Sequence, residues 1–403
     1  MPEISDRGLG VAVIGAGMAG KAHAAAYRTA SAVYDPVLPP IRLVSIADVN
    51  AEFGSLAARR FGYERNDTSW QAIAEADDID VVSVVIANKL HREVVEGLLA
   101  AGKHVLCEKP LSDTMADAWA MAQAADAAAE RGLLARIGFT YLRTPGIAFI
   151  KQLVDSGELG RVLHFSGRYW TDYGCDPKAP MSWRYQGPQG SGALADVGSH
   201  MAYVSEFLCG PAQEVSGGTL STAITQRPLP LGAVMGHDHV AVSDTYEPVT
   251  NDDYAAYSAR FASCTGSLEA SRVAAGHANG LIFEVFCENG AARFDQSKPS
   301  EIDLYLHGDS RTAGYRRIVL GPDHPYIAGG LPMDAPSVGF GQNEAFIYQA
   351  RAFLDEVAGT EKPLPPCATF HDGVHNMEIL AAVTQSAANG GAPVSVPSQK
   401  AAL

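Results

Sequence analysis

Three side chains in this sequence stand where they could handle a proton. Asp196 and His200 lie four residues apart in GALADVGSH (192–200), directly after the glycine-dense run QGPQGSGAL. On a helix that spacing puts both side chains on one face. It suits a helix start capped by Asp196, half of a metal site, or half of an acid/base pair. The third is Lys109, in CEKPLS, flanked by Glu108 and Pro110. It falls at the C-terminal end of an expected strand, the edge where open α/β sheets bind ligands. A lysine there can hydrogen-bond a substrate hydroxyl and favour its alkoxide; the plainer reading is a surface lysine beside a turn proline. Histidine, with an ordinary pKa of about 6.5, can serve as a base without help, whereas lysine, at about 10.4, must be lowered or act as a donor. The pairs Asp196/His200, His237/His239 and His371/His375 have ligand-like spacings, but HDGVH lacks the glutamate of HExxH and no Cys/His cluster exists. Ordinary polar histidines and no metal are therefore expected.

A dinucleotide site is written upstream. VIGAGMAG places Gly15, Gly17 and Gly20 as G-x-G-x-x-G, with Met18 and Ala19 between the last two. The motif follows an expected strand and opens an expected helix, so backbone can approach a pyrophosphate at the helix N-terminus. Asp48, in VSIADVN, ends the next strand and suits the adenosine ribose hydroxyls. It lies 28 residues beyond Gly20, more than the usual ~20, and the loop YDPVLPP absorbs the excess. A carboxylate there repels a 2′-phosphate and no arginine follows directly, so NAD is favoured over NADP. The plainer role for Asp48 is a helix N-cap.

These residues need a frame. The first third alternates strands (10–15, 41–47, 81–87, 104–108, 133–139) with helical stretches, which implies a parallel sheet with right-handed crossovers. Near residue 140 the character changes. RVLHFSGRYWTD, YAAYSARF, GSLEASRV, GLIFEVFC, ARFDQ, IDLYLHG and YRRIVLG read as strands, several in succession, and ENG (288–290) suits a tight hairpin. A mostly antiparallel sheet follows, with a face left to cover and so a homo-oligomer expected. Two helical stretches, 344–359 and 371–391, close the chain. At 403 residues two domains are expected, divided as 1–138 and 139–403. A formal net charge of −15 argues against nucleic acid as the main partner. No apolar run is long enough for a membrane span, and the polar N-terminus argues against export, so a cytoplasmic protein is expected. The six cysteines are scattered and read as reduced thiols.

Taken in order, GAGMAG, ANKLH (87–91), EKP and GALADVGSH make the chain resemble the Gfo/Idh/MocA oxidoreductase family over nearly its whole length. The resemblance implies an α/β protein: an N-terminal Rossmann domain, then a C-terminal α+β domain with a large, mostly antiparallel open sheet, in dimers or tetramers. It implies that Lys109, Asp196 and His200 form the active-site set. It places Glu108, Asn88 and His91 near the nicotinamide half of the cofactor, and makes the Lys109–Pro110 bond cis. Two departures stand out. Ile86-Ala87 replaces a frequent Thr-Pro, and Tyr203 replaces an Asp that often follows the histidine by three.

DYGCDPKAPMSWR (172–184), YLRTP (141–145) and GPDHPY (321–326) resemble a subgroup that oxidises cyclic sugars and inositols. By position, Tyr141, Arg143, Asp172, Trp183 and Arg184 are candidates for the substrate wall, though Trp183 could equally be core and Arg143 could pair with an acid at the domain seam. The implied activity is NAD-dependent oxidation of a secondary hydroxyl of a polyol or sugar to a ketone. His200 would be general acid/base, Lys109 the partner of the reacting oxygen (roles that could be exchanged), and Asp196 the orienting group. The glycines before Asp196 would let the chain pass close to nicotinamide and substrate. Two alternatives share the fold: transient oxidation coupled to elimination or glycoside cleavage, and a non-catalytic NAD-binding regulator.

Overall fold

The structure is a computed structural model that describes residues 7–35, 37–232, 234, 240–308, 311, 313–361 and 364–397, so His237 and His239 lie outside the described residues. The chain divides into two compact units. The first holds the residues up to Thr144 together with Tyr326–Val374, the second Pro145–Pro325 together with the residues from His375.

The first unit begins β1 (Leu9–Ile14), α1 (Met18–Ala30), β2 (Ile41–Ala47), α2 (Ala51–Phe61), β3 (Arg65–Asp67), α3 (Trp70–Glu75), β4 (Val81–Val84), α4 (His91–Ala100), β5 (His104–Cys107), α5 (Met115–Ala129) and β6 (Ala135–Ile137). The strands are parallel, in the order β3-β2-β1-β4-β5-β6. β1 and β4 are buried along their whole length, as covered strands of this kind must be. The helices start and stop where local chemistry directs. Asn50 caps α2 by accepting from the N–H groups of Glu52 and Phe53, and Gly62 ends it in the left-handed conformation. Thr114 caps α5. The order reverses between β1 and β4, and a crevice for a ligand opens at the C-terminal ends of strands at such a point.

The second unit contributes α6 (Pro145–Asp155), β7 (Val162–Trp170), α7 (Ser199–Cys209), β8 (Glu214–Ser221), β9 (Gln226–Pro230), β10 (Val242–Pro248), β11 (Tyr254–Arg260), β12 (Thr265–Ser271), β13 (Gly280–Cys287), β14 (Gly290–Asp295), β15 (Glu301–Leu306) and β16 (Arg316–Val319). β9 and β10 form a separate ribbon. The others build one sheet that is antiparallel except where β7 meets β12. The expected hairpin at 288–290 is present, with Cys287 opposite Gly290. One face of the sheet is buried against α6 and α7; the other is open.

Three elements close the chain: α8 (Gln342–Ala358), α9 (Phe370–Ala388) and β17 (Val394–Ser395), the last pairing with β8. α8 lies in the first unit, unlike the linear division at 138/139. Its Ala350, Phe353, Leu354 and Val357 share a core with Val11, Val13, Ala24 and Tyr27. Tyr34 secures the returning segment: its N–H donates to Gly329 (2.8 Å) and its hydroxyl to the Tyr326 carbonyl (2.5 Å). α9 begins in the first unit and ends in the second. All six cysteines are free thiols. No helix among the described residues is long and apolar enough to cross a membrane.

Candidate active site

The first unit carries the dinucleotide half. Gly15 has φ +107°, and a Cβ there would strike the Val85 carbonyl; a Cβ at Gly20 would strike the Gly15 carbonyl. Gly17, the N-cap of α1, faces open space, which is where a pyrophosphate needs room beside the helix N-terminus. Asp48 is not the N-cap of α2; Asn50 is. The Asp48 carboxylate instead accepts from the Ala16 N–H (2.8 Å) and the Asn50 N–H (2.8 Å), which ties the glycine loop to the end of β2. Met18 and the neighbour of Asp48, Val49, stand 66% and 94% exposed, apolar surface that a bound dinucleotide would cover. Ala19 lies half-buried in the first turn of α1. The residues present fit the cofactor.

Asn88 opens a short 3-10 turn after β4 and is half-buried. His91 differs from the expectation. Its ring is fully buried, with Nδ1 3.1 Å from the Leu111 carbonyl and Nε2 3.1 Å from the Ile86 carbonyl. Burial holds its pKa below the ordinary histidine value. Through the Ile86 carbonyl it braces the turn that presents Asn88. Glu108 and Lys109 follow β5, and the Lys109–Pro110 bond is cis. Burial works against ionisation of Glu108, but the hydrogen bond from His23, with the nearby Lys109, outweighs it and holds the carboxyl below its ordinary pKa.

Tyr141 and Arg143 belong to the first unit and are buried. Arg143 donates to Gln349 Oε1, to the Tyr326 hydroxyl and to the Pro366 carbonyl. It is a structural cation that binds the returning segment, not part of an open wall.

The second unit carries the acid and the imidazole. A π-helical turn, Leu194–Gly198, leads into α7. Asp196 therefore sits inside a widened turn, and the N-cap position of α7 is Gly198. Such turns recur at functional sites. Asp196 Oδ2 accepts from the Tyr173 hydroxyl at 2.5 Å. Burial, then the negative charge of Asp196, pushes the Tyr173 pKa well above its ordinary range, so it remains a donor. His200 Nδ1 lies 2.7 Å from the Tyr203 hydroxyl, and the ring of Tyr169 sits 5.6 Å away. Tyr169 is itself fixed, donating to Asn279 Oδ1 at 2.7 Å. The position that lost a carboxylate thus still holds the imidazole, through a neutral hydroxyl.

The glycine run wraps a buried carboxylate. Asp252, fully buried, accepts from the N–H groups of Gly190 (2.7 Å), Gly192 (3.0 Å) and Leu194 (2.8 Å). A Cβ at Gly192 would strike the Asp252 backbone. The chain wraps this carboxylate to enter the π-turn. The loop bearing Asp172, Trp183 and Arg184 is built on two buried arginines. Arg227 donates to the carbonyls of Gly174 and Asp176, and Arg272 to that of Arg184. Both guanidiniums pack on Tyr185, at 3.9 and 4.7 Å from its ring centre. Asp172 is half-buried. Trp183 is not core; it is 48% exposed, with the Arg184 guanidinium 4.5 Å from its ring centre. Tyr173, Asp252 and Arg272 were missed in the sequence because their partners are remote in it. Among the described residues no group of three or more His, Cys, Asp or Glu is arranged for a metal. His371 meets Asp126, and His375 meets Glu206 and Glu378.

A doubly wound sheet with a glycine cradle, and a second unit presenting an acid from the π-turn and an imidazole from the helix it enters, define a two-unit NAD-binding oxidoreductase. The chain belongs to the Gfo/Idh/MocA family. Residues 9–137 match the oxidoreductase family's NAD-binding Rossmann fold, and residues 147–293 match the GFO/IDH/MocA C-terminal domain. The chain is 36% identical to levoglucosan dehydrogenase of Pseudarthrobacter phenanthrenivorans over 385 residues, 94% of this chain and 96% of that one. A solved structure of levoglucosan dehydrogenase in complex with NADH and levoglucosan superposes with a TM-score of 0.86 at 34% identity, over 97% of this chain and 100% of the other. Inositol 2-dehydrogenase of Salmonella typhimurium is 30% identical over 159 residues, 39% of this chain and 45% of that one. NAD is the cofactor.

Proposed function

We propose that this protein is a dehydrogenase that oxidises a secondary hydroxyl of a cyclic polyol or sugar to a ketone, with an anhydrosugar such as levoglucosan as the first candidate. The observation that carries this reading is the acid and imidazole on one helix entry, each held by a tyrosine hydroxyl, in a chain similar to levoglucosan dehydrogenase over nearly its full length. NAD, when bound, supplies the hydride acceptor.

The chain's own residues manage the proton. His200 takes it from the hydroxyl at Nε2, with Tyr203 accepting from Nδ1–H and fixing the ring. Lys109 donates to the same oxygen as its negative charge grows. Asp196, pinned by Tyr173, accepts from a neighbouring hydroxyl and sets which carbon presents its hydrogen. Trp183 offers an exposed apolar face and Arg184 and Asp172 offer polar edges, a combination suited to a ring bearing several hydroxyls.

The test is absorbance at 340 nm with levoglucosan, inositol isomers and both glucose enantiomers, with NAD and NADP run in parallel. Reduction of NAD by at least one compound is expected, with NADP much poorer because Asp48 would oppose a 2′-phosphate. Product analysis should find a ketone. A cleaved aglycone would instead indicate transient oxidation, and silence across the panel would leave a regulator.

The reading also includes a homo-oligomer. The open sheet face sets Ile282 and Phe286 among Arg168, Glu269, Glu284 and Arg293, around a cavity of about 410 Å³. Alternating charges of both signs around apolar residues suit a self-complementary contact. Light scattering is expected to give a dimer or tetramer, and a monomer at micromolar concentration would refute this.

A further inference from the structure

The geometry points to His23 as a positioning residue for the turn that carries Lys109, acting through Glu108. This rests on the reading that Lys109 serves the substrate oxygen. His23 stands on α1, 2% exposed, with the edge of its ring against Phe346. Its Nε2 lies 2.9 Å from Glu108 Oε1, and its Nδ1 lies 3.0 Å from Ser83 Oγ. Ser83 Oγ lies 2.9 Å from the Tyr27 hydroxyl. On its other side, Glu108 Oε2 accepts from the Lys109 backbone N–H at 3.1 Å. All of these residues belong to the first unit.

The proton positions follow from the ends of the chain. Glu108 is held below its ordinary pKa and is anionic at neutral pH. An ionised carboxylate can only accept, so His23 Nε2 carries the hydrogen. Burial pushes the Tyr27 hydroxyl well above its ordinary range, so Tyr27 is a donor. One arrangement then satisfies every atom with a neutral imidazole. Tyr27 donates to Ser83, Ser83 donates to Nδ1, and Nε2–H donates to Glu108. Tyr27 is fully buried, so the chain ends inside the core and offers a proton no exit. It fixes geometry instead. Gly138 closes the remaining side, since a Cβ there would come within 2.8 Å of Glu108 Oε1. Glu108 is therefore held in one pose, and its second oxygen holds the Lys109 main chain.

The sign of the pH effect follows. With His23 present, the lowered pKa keeps Glu108 anionic until the pH falls well into the acid range. Without it, burial dominates, the pKa rises, and Glu108 takes up a proton at higher pH. A protonated Glu108 is a weaker acceptor for the Lys109 N–H, and the turn loosens.

The experiment follows the ¹³Cδ resonance of Glu108 in glutamate-labelled full-length protein, assigned by its loss in Glu108→Gln. His23→Ala should raise its titration midpoint by about one unit or more. His23→Gln, whose amide nitrogen can reach the place of Nε2, should restore most of the wild-type midpoint. His23→Asn, whose amide reaches only the place of Nδ1, should not. Ser83→Ala, which only frees the tautomer, should give a smaller shift in the same direction and serves if His23→Ala does not fold. The acid limb of kcat, with whichever sugar the panel identifies, should move in parallel, with a loss of about tenfold in His23→Ala near neutral pH. An unmoved midpoint in His23→Ala and Ser83→Ala, or equal behaviour of the Gln and Asn variants, overturns the positioning role. An inert wild type in the panel overturns the functional reading instead, and leaves the NMR result to stand alone.

Discussion

Lys109→Ala and His200→Ala are each expected to cut kcat by about 10²–10⁴-fold while leaving NADH affinity within about threefold. The reason is that neither side chain contributes to the glycine cradle or to the Asp48 end of the cofactor site. Removing His200 takes away the base, and water must accept the proton in its place. Removing Lys109 takes away a donor to an oxygen whose negative charge grows through the reaction, an interaction stronger in the transition state than in the ground state. Both losses should therefore appear in kcat, with a smaller change in KM. Tyr203→Phe separates orientation from acid–base chemistry. It leaves the imidazole but removes its 2.7 Å partner, so a loss of about tenfold is expected, between wild type and His200→Ala. Stopped-flow and steady-state assays at 340 nm, with NADH titrations by fluorescence, read all three. Wild-type turnover by both alanine variants would sink the scheme. A large loss of NADH affinity would move the residues from chemistry to cofactor binding.

How much of this was legible in the sequence depends on how far each cause reaches along the chain. β1, α1 and β2 were legible because burial, the glycine motif and the turn residues act over a few positions. So was the 288–290 hairpin, where Gly290 leaves no room for a side chain against the Tyr305 carbonyl. β8 was not read. Its sequence, EVSGGTLS, is polar and carries two glycines, and it becomes a strand by pairing with β11 and β17. The return of α8 to the first unit was equally hidden, since its apolar face finds its partner on α1, some 300 residues earlier. The site divides in the same way. Gly15, Gly17 and Gly20 announce themselves by spacing, and Asp48 by its place just after β2. Motif position offers Arg143 either to a substrate wall or to a pairing role, and its donors are taken up by Gln349, Tyr326 and Pro366. The spacing of Asp196, His200 and Tyr203 is local, but the π-turn and the hydroxyl that meets Asp196 depend on Asp252 and Tyr173, which no local pattern links to them.

The largest expected loss of stability is at Asp253. Asp253 and Arg272 are both fully buried, with Nε to Oδ1 at 2.7 Å. The remaining guanidinium donors go to the Arg184 carbonyl (2.7 Å) and Asn251 Oδ1 (2.8 Å). The other Asp253 oxygen accepts from the N–H groups of Ala223 and Ile224. A pair this enclosed gains little over an apolar pair of the same shape, because both charges were desolvated to form it. Breaking it is another matter. Asp253→Ala leaves a buried arginine without its counter-charge and two backbone donors without an acceptor, a cost of about 3–5 kcal/mol. In thermal unfolding this should lower the transition of the second unit by about 10 °C. Asp253→Leu combined with Arg272→Met should be markedly less destabilised than Asp253→Ala alone, since no charge is then left unpaired. The double variant also removes the Arg272 donor from the Arg184 carbonyl and leaves it only Asn251 Nδ2 (3.0 Å), so KM for the substrate should rise there even where stability is recovered. A cost below about 1 kcal/mol for Asp253→Ala would mean that water reaches Arg272, and that the loop bearing Trp183 and Arg184 does not depend on this pair.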